Sequence, residues 1–368
     1  MKKFAPLCFI FLLFSCSHAR TLEVMSYNVE NLFDTKHDEG KLDWAYLPKD
    51  TEGKTKECKK VKSRRRRNEC LDGDWTKEKF DIKIGQITDA IVKERGKTPD
   101  LLALVEVENE NAVKALADSL KYKSFVVSNG PDNRGIDLAL LYKEEKGFKL
   151  ISKKEIKIET EEFKKWPTRN ILEVEFLYKK KYPLTVFVNH WPSLANPTIN
   201  RIRVATALKK RIDELLKKNK NHYIMALGDF NTNDKDHPHP FKDVLLKDET
   251  MFDLHESYRS DRSISWDEKN SMPPGTHFFA PEMSWNILDR IFLSKNFKDK
   301  KGMSVKNDSY SIYAPNFLTD TYEYRSRKKY LNGSKVRGVP RRYNHSAKNT
   351  GDAGYSDHFP VLFKVNVK

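Results

Sequence analysis

Apolar positions recur along this chain in two periods, and the switches between them outline its elements. "TLEVMSYNVENLF" reads as an opening strand and is followed by a polar, irregular stretch to about Asp74. "TKEKFDIKIGQITDAIVKE" then sets Phe80, Ile84, Ile87 and Ile91 on one helical face. "DLLALVEVE" predicts a short buried strand, and Val113, Leu116, Ala117 and Leu120 mark a second helix. "IDLALLYK", "NILEVEFLY" and "LTVFVNHW" carry the β-branched and aromatic bias of strands. "INRIRVATALKKRIDELLKK" predicts a basic amphipathic helix, and "YIMALGDFN" an apolar strand running into a polar turn. "ILDRIFLS" and "PVLFKVNV" close the series. Strands and helices alternate irregularly, with hairpin-like pairs among them, and no repeat or coiled coil interrupts them. The pattern predicts one mixed α/β domain over residues 20–368, a length that can bury a large core.

The first nineteen residues stand outside that pattern. Lys2 and Lys3 precede an apolar run from Phe4 to Phe14, and Ser17-His18-Ala19 fits a small-x-small cleavage site. This predicts an export signal over residues 1–19, too short for a stable membrane span. A buried N-terminal helix is disfavoured because no polar face interrupts the run. The alternative is a lipoprotein box at "LFSC", with Cys16 lipidated and the protein anchored to a membrane through it. Phe14 fits that box poorly, so the preferred expectation is a soluble exported protein, periplasmic or extracellular.

Charge sharpens the picture. The net charge is +16, or +14 without the leader. Residues 49–70 carry ten Lys and Arg against four acids, and residues 325–348 carry nine and no acid. The remainder is close to neutral. Two concentrated basic segments, a 49–70 insert and a 325–348 loop, point to a polyanionic partner. Outside the leader the only cysteines are Cys58 and Cys70. In an oxidising compartment they are expected to form a disulfide rather than two free thiols, closing a loop stabilised by about 3 kcal/mol.

Polar residues recur where the apolar strands stop: Asn28 and Glu30, Glu106, His190, Asp229 and Asn231, and Asp357-His358. Singly, each has an ordinary explanation. Asn and Asp favour turns and helix caps, a lone His is usually structural, and Glu106 has many lysines to pair with. Together they suggest one rim, because parallel or mixed sheets gather strand ends on one side. Oxygen ligands without a Cys/His cluster favour Mg²⁺, with Mn²⁺ or Ca²⁺ as alternatives, over zinc. A hard cation, two histidines and several acids suit phosphodiester hydrolysis.

Taken in order, "SYNVENLFD", "LLALVEVEN", "DNRGIDLALLY", "FVNHWPS", "LGDFN", "LDRIFLS" and "YSDHFPV" resemble the endonuclease/exonuclease/phosphatase superfamily over about residues 22–367. The wording is most similar to a bacterial exported nuclease-like subgroup. The resemblance implies a four-layer α/β sandwich, two packed mixed β-sheets flanked by helices. It implies that Asn28 and Glu106 form the metal pair, with Asp357 beside the metal and Glu30 an acid near it. It places His190 against the scissile phosphate, and Asp229 and Asn231 as the residues that orient or deprotonate water. Asp289 would pair with His358, and Asp137 would orient His190. Arg134 and Arg201 are candidate phosphate contacts, with solvated surface charge the competing explanation.

The cysteine-framed insert and the second basic segment depart from the family pattern. Both leave from the expected catalytic rim, so Arg64, Arg65, Arg66 and Arg67 are expected to grip substrate, and Tyr330 and Tyr343 to stack on bases. The expected activity is that of a secreted, metal-dependent nuclease, an endonuclease acting on DNA with little sequence preference. The expected protein is a monomer with no protein partner. A sphingomyelinase-type phospholipid phosphodiesterase would instead need an apolar membrane-docking hairpin, for which "HFFAPEMSW" is the candidate. A non-catalytic nucleic-acid-binding relative would be expected to have lost part of the catalytic set.

Overall fold

The computed structural model describes residues 20–324 and 333–368. Strand β1 (Arg20–Leu32) leads into the short helices α1 (Lys54–Lys59) and α2 (Arg64–Asp72), then α3 (Lys77–Val92). There follow β2 (Leu101–Val107), α4 (Glu110–Leu120), β3 (Ser124–Val127), β4 (Asp137–Tyr142), β5 (Phe148–Ile156) and α5 (Glu161–Lys165). Next come β6 (Ile171–Tyr178), β7 (Tyr182–His190), α6 (Thr198–Lys218), β8 (Tyr223–Asp229) and β9 (Met251–Asp253). A hairpin of β10 (His277–Phe279) and β11 (Ser284–Asn286) precedes β12 (Asp289–Ser294) and β13 (Met303–Ile312). A second hairpin, β14 (Thr319–Glu323) with β15 (Lys335–Pro340), precedes the last strand, β16 (Val361–Val367).

Two six-stranded mixed sheets result, ordered β13-β16-β1-β2-β4-β3 and β5-β6-β7-β8-β12-β9. Alternation along the strands of the second sheet sorts their side chains between two cores. Val186 and Val188, Met225 and Leu227, and Ile291 and Leu293 face the first sheet. Phe187, Ile224, Ala226 and Phe292 face the other way, where Val204, Ala205, Leu208, Ile212 and Leu215 of α6 cover them. Helices α3 and α4 pack against each other and add Ile84, Ile87, Ile91, Val113 and Leu116 to the larger core. The architecture is thus the expected α/β sandwich of two packed sheets with helices.

Every strand and helix expected from apolar periodicity is present. Strands β5 and β13 were not expected, because both are charged sheet edges: β5 exposes Lys149, Lys153 and Lys154 and buries only one end. The insert is not a loop. Helices α1 and α2 form a helical hairpin, with the Ser63 side chain capping α2 and the buried Cys58–Cys70 disulfide joining the two at a Cα–Cα distance of 5.5 Å. Nor is the second basic segment simply a loop, since β15 pairs antiparallel with β14. Tyr330 and the rest of 325–332, like the leader and Cys16, lie outside the described residues. Among the described residues no helix is long and apolar enough to cross a membrane.

Candidate active site

One rim of the sandwich collects the polar strand ends. Strands β7 and β8 run parallel with His190 level with Asp229, and antiparallel β12 sets Asp289 level with Asp229. In the other sheet Asn28 lies where β1 leaves its register with β2. Glu106 is the extra residue of a bulge between β2 and β4, so its side chain leaves the strict alternation of the strand. Glu30, Asn31, Glu106 and Asn231 all adopt left-handed backbone, at φ of 52°, 62°, 65° and 44°. Such conformations cost about 1–3 kcal/mol each and collect where the surroundings fix them, typically at functional sites.

Asp229 is the hub. Its carboxylate accepts from Asn28 Nδ2 at 3.2 Å and from the Asn231 amide at 2.9 Å. His190 Nε2 lies 3.8 Å from Asp229 and 3.6 Å from Glu106. His358 Nε2 lies 4.0 Å from Asp229 and 3.9 Å from Asp357, while its Nδ1 meets Asp289 at 2.7 Å. Ser356 ties the last loop to the first strand, donating to the Asn28 carbonyl at 2.7 Å and accepting from the His358 amide at 3.1 Å.

The two histidines are driven apart electrostatically. Burial, then the charges of Arg169 and Arg134, hold His190 well below its usual range, so it is neutral near pH 7. Burial also opposes charge on His358, but Asp289, Asp229 and Asp357 outweigh it and raise His358 well above its usual range. Burial pushes Asp229 up to about 7, reinforced by Asp289 and Glu106 and opposed by His358. Opposite shifts in neighbouring groups are how a site separates acid from base.

Several expectations need correction. Asp137 does not orient His190: its Oδ1 accepts from Ser128 Oγ at 2.6 Å and the Gly130 amide at 2.7 Å, and His190 Nδ1 is buried without a hydrogen-bond partner. Arg201 does not face substrate. It is buried, bonds the Ser193 and Asn196 carbonyls and is paired with Asp236, a structural tie between α6 and the turn after β8. Glu30 is not free for a cation, since Arg342 and the Tyr343 amide occupy its two oxygens. Tyr343 is buried beneath Lys83, 3.9 Å from its ring centre, and presents no face to a base. Arg134 does lie exposed at the rim, its Nε 3.4 Å from Asp132. On α2, Arg64 and Arg66 are exposed, Arg65 pairs with Glu69 at 2.8 Å, and Arg67 donates to the Val61 carbonyl at 3.2 Å.

Four residues at the rim escaped sequence reasoning. Arg342 reaches Glu30 and lies 3.7 Å from Asp357. Lys83 is buried with its ammonium on the Tyr355 carbonyl at 3.1 Å, and burial lowers it to about 8 against the pull of Glu30 and Asp357. Arg169 donates to the Trp191 carbonyl at 2.6 Å, directly behind His190. His277 of β10 lies with its ring 4.9 Å from that of His358. Lys83 had a signal, because it stands four residues before Ile87 on the apolar stripe of α3; the others had none.

The donor set fits a hard divalent cation. Glu106 and Asp357 offer partly exposed carboxylates on one rim, and Asn28 adds an amide oxygen that accepts from the Glu30 amide at 3.0 Å and has a second lone pair to offer.

In sequence, residues 23–367 match the model of the Endonuclease/Exonuclease/phosphatase family. No curated protein matches the chain. Among solved structures, an endonuclease/exonuclease/phosphatase family protein from Bacteroides thetaiotaomicron superposes with a TM-score of 0.53 at 16% identity, covering 95% of this chain and 96% of the other. A mannosyl-6-phosphatase from the same organism gives 0.53 at 16% identity, covering 94% and 99%. The human Nocturnin catalytic domain with bound sulfate gives 0.53 at 15% identity, covering 95% of each. At these identities the likeness carries the fold alone. With the family model spanning nearly the whole described chain, the protein belongs to the endonuclease/exonuclease/phosphatase family, a family of metal-dependent phosphoesterases.

Proposed function

We propose that this protein is an exported, divalent-metal-dependent endonuclease that hydrolyses DNA with little sequence preference. The observation that carries the substrate is Arg342. It belongs to the acid-free basic segment, yet its guanidinium touches Glu30 and faces Asp357 inside the rim. The backbone of that segment is brought in by Gly354, where a Cβ would stand 2.1 Å from the Arg342 carbonyl oxygen. A cavity of about 680 Å³ adjoins it, its lining basic on balance, with Arg341, Arg342 and Lys348 against Asp320 and Asp352. The disulfide-linked helices α1 and α2 pack on the Trp44–Tyr46 turn, and Tyr46 meets His345 of the same basic segment at 5.5 Å. Both basic segments therefore meet at one aromatic cluster beside the catalytic rim, an arrangement suited to a polyanion lying across it.

The metal would be held by Glu106, Asp357 and Asn28, and when bound would supply positive charge to the phosphoryl oxygens. Asp229 is matched to take a proton from water near neutral pH, and Asn28 and Asn231 fix the direction of its oxygens. The water oxygen bonds to phosphorus as its proton passes to Asp229; the ester P–O bond breaks, its electron pair leaves with the departing oxygen, and that oxygen takes a proton from solvent. His358, cationic against Asp289, places charge where the phosphoryl oxygens become more negative. Neutral His190 faces the same space as a hydrogen-bonding group.

The phospholipid reading is weaker. The β10–β11 hairpin exists, but Phe278 packs on Trp285 and Tyr322, leaving Phe279, 40% exposed, as its one outward aromatic. That is little surface for docking on a membrane.

DNA binding by an inactive His358→Ala variant tests the substrate class. Its affinity for a labelled duplex is expected to fall steeply with salt. Replacing Arg64, Arg65, Arg66 and Arg67 together by Gln should flatten the log–log slope by about 2 to 3. An unchanged slope would show that α2 does not touch DNA, and no duplex binding at all would sink the nuclease reading.

A further inference from the structure

The rim has two chemically different sides, and Asp357 stands between them. Its Oδ2 faces Arg342 at 3.7 Å, the guanidinium that also holds Glu30. Its Oδ1 faces His358 Nε2 at 3.9 Å. On that second side the donor atoms of His277, Asp357 and His358 all lie within 4.8 Å of one another, the one such group of three among the described residues. We propose that His277, Asp357 and His358 form a second cation site, selective for a transition-series ion such as Zn²⁺, whose occupation shuts off hydrolysis.

Two imidazoles and one carboxylate are a donor set for Zn²⁺, Co²⁺ or Fe²⁺ rather than for Mg²⁺, which prefers oxygen and retains its water. The histidines are held for it. Asp289 binds His358 Nδ1 at 2.7 Å and fixes the ring plane, the usual outer-shell support of a metal-bound His, so the ion takes Nε2 by displacing its proton to solvent. His277 is tied to His358 through an antiparallel backbone bridge, and its strand is anchored by the Thr276 amide on the Asn286 carbonyl at 3.0 Å. Its Nδ1 is buried and makes no hydrogen bond. A buried imidazole nitrogen without a partner has lost its solvation and gained nothing in exchange, unless a ligand completes it. Donor atoms around a tetrahedral Zn²⁺ with bonds of about 2.0–2.1 Å stand roughly 3.4 Å apart, so side-chain rotations of about an ångström would close the site.

The inhibitory consequence rests on the catalytic role given to His358 above, because an ion on Nε2 removes that nitrogen from the phosphate. Binding itself does not depend on that role. The test uses untagged, chelator-treated full-length protein titrated with Zn²⁺ by calorimetry, with Co²⁺ as a visibly absorbing stand-in. Wild type is expected to take one equivalent with an imidazole-ligated Co²⁺ spectrum. His277→Ala and His277→Gln, both checked for native circular dichroism, should each weaken Zn²⁺ by about 100-fold while Mg²⁺ affinity changes by less than about threefold. With Mg²⁺ and plasmid present, Zn²⁺ should stop wild-type cleavage, and His277→Gln should raise the half-inhibitory concentration by a similar factor. Zn²⁺ binding equally tight in both variants, or no Zn²⁺ binding by folded wild type, would overturn the site. A protein that binds Zn²⁺ through His277 but cleaves no DNA would overturn the nuclease reading and leave the site standing.

Discussion

Replacing Asp229 with Asn is expected to lower kcat by about 10³-fold, within the range for loss of a general base, while leaving the affinity for duplex DNA within a factor of about three. The carboxylate lies at the centre of the rim, bonded by Asn28 and the Asn231 amide and flanked by both histidines. Burial raises its pKa to about 7, and a base must be ionised to act. Wild-type kcat/KM should therefore fall as pH drops through about 7, and the residual rate of the variant should lack that limb. The sign for stability is opposite. A buried carboxyl whose folded pKa is raised favours folding at low pH and loses that advantage as pH rises through the folded value. The Asn variant should accordingly melt no lower than wild type at pH 8, trading activity for stability. A large loss of Tm with an unshifted pH profile would mean that Asp229 is structural.

The second large effect is expected from Gly228→Ala. Gly228 sits at φ 130° directly before Asp229, and a Cβ there would stand 2.1 Å from the Asn189 carbonyl oxygen of the neighbouring strand. No flexible side chain can yield, because the clash is with backbone. Relief requires β7 and β8 to part just where they present His190 and Asp229 at the same level. The variant should lose about 4 kcal/mol or more of stability and essentially all activity. A variant with wild-type Tm would show that the strands tolerate a different spacing there. This close approach is a physical reason for glycine in "LGDFN".

Those same strand ends explain how much of the site was legible in the sequence. Asp289 begins β12, His190 and Asp229 end β7 and β8, Glu106 lies one residue from the end of β2, and Asn28 stands inside β1 where its pairing with β2 lapses, so sheet register gathers them. The structure brings them together with Asn231, Asp357 and His358. What stayed hidden depends on contacts between segments far apart in the chain. Arg342 reaches across 312 positions to Glu30, and nothing within a basic run marks one arginine as different from its neighbours. His277 lies on a three-residue strand too short to show a period. Arg201 was readable after all: Val204, Ala205 and Leu208 follow it at helical spacing on the buried face of α6, so a buried partner was to be expected. Asp137 failed because strand position does not say which neighbour a carboxylate will accept from, and here its own turn supplies two donors.

The central claim is metal-dependent hydrolysis of DNA, and its most direct measurement is conversion of supercoiled plasmid by the purified protein in Mg²⁺, with and without chelator. Sphingomyelin vesicles and mannose 6-phosphate serve as parallel substrates. Nicked and then linear plasmid in Mg²⁺, none with chelator, and no phosphocholine or inorganic phosphate released is the predicted result. Intact plasmid alongside release of either product would contradict it.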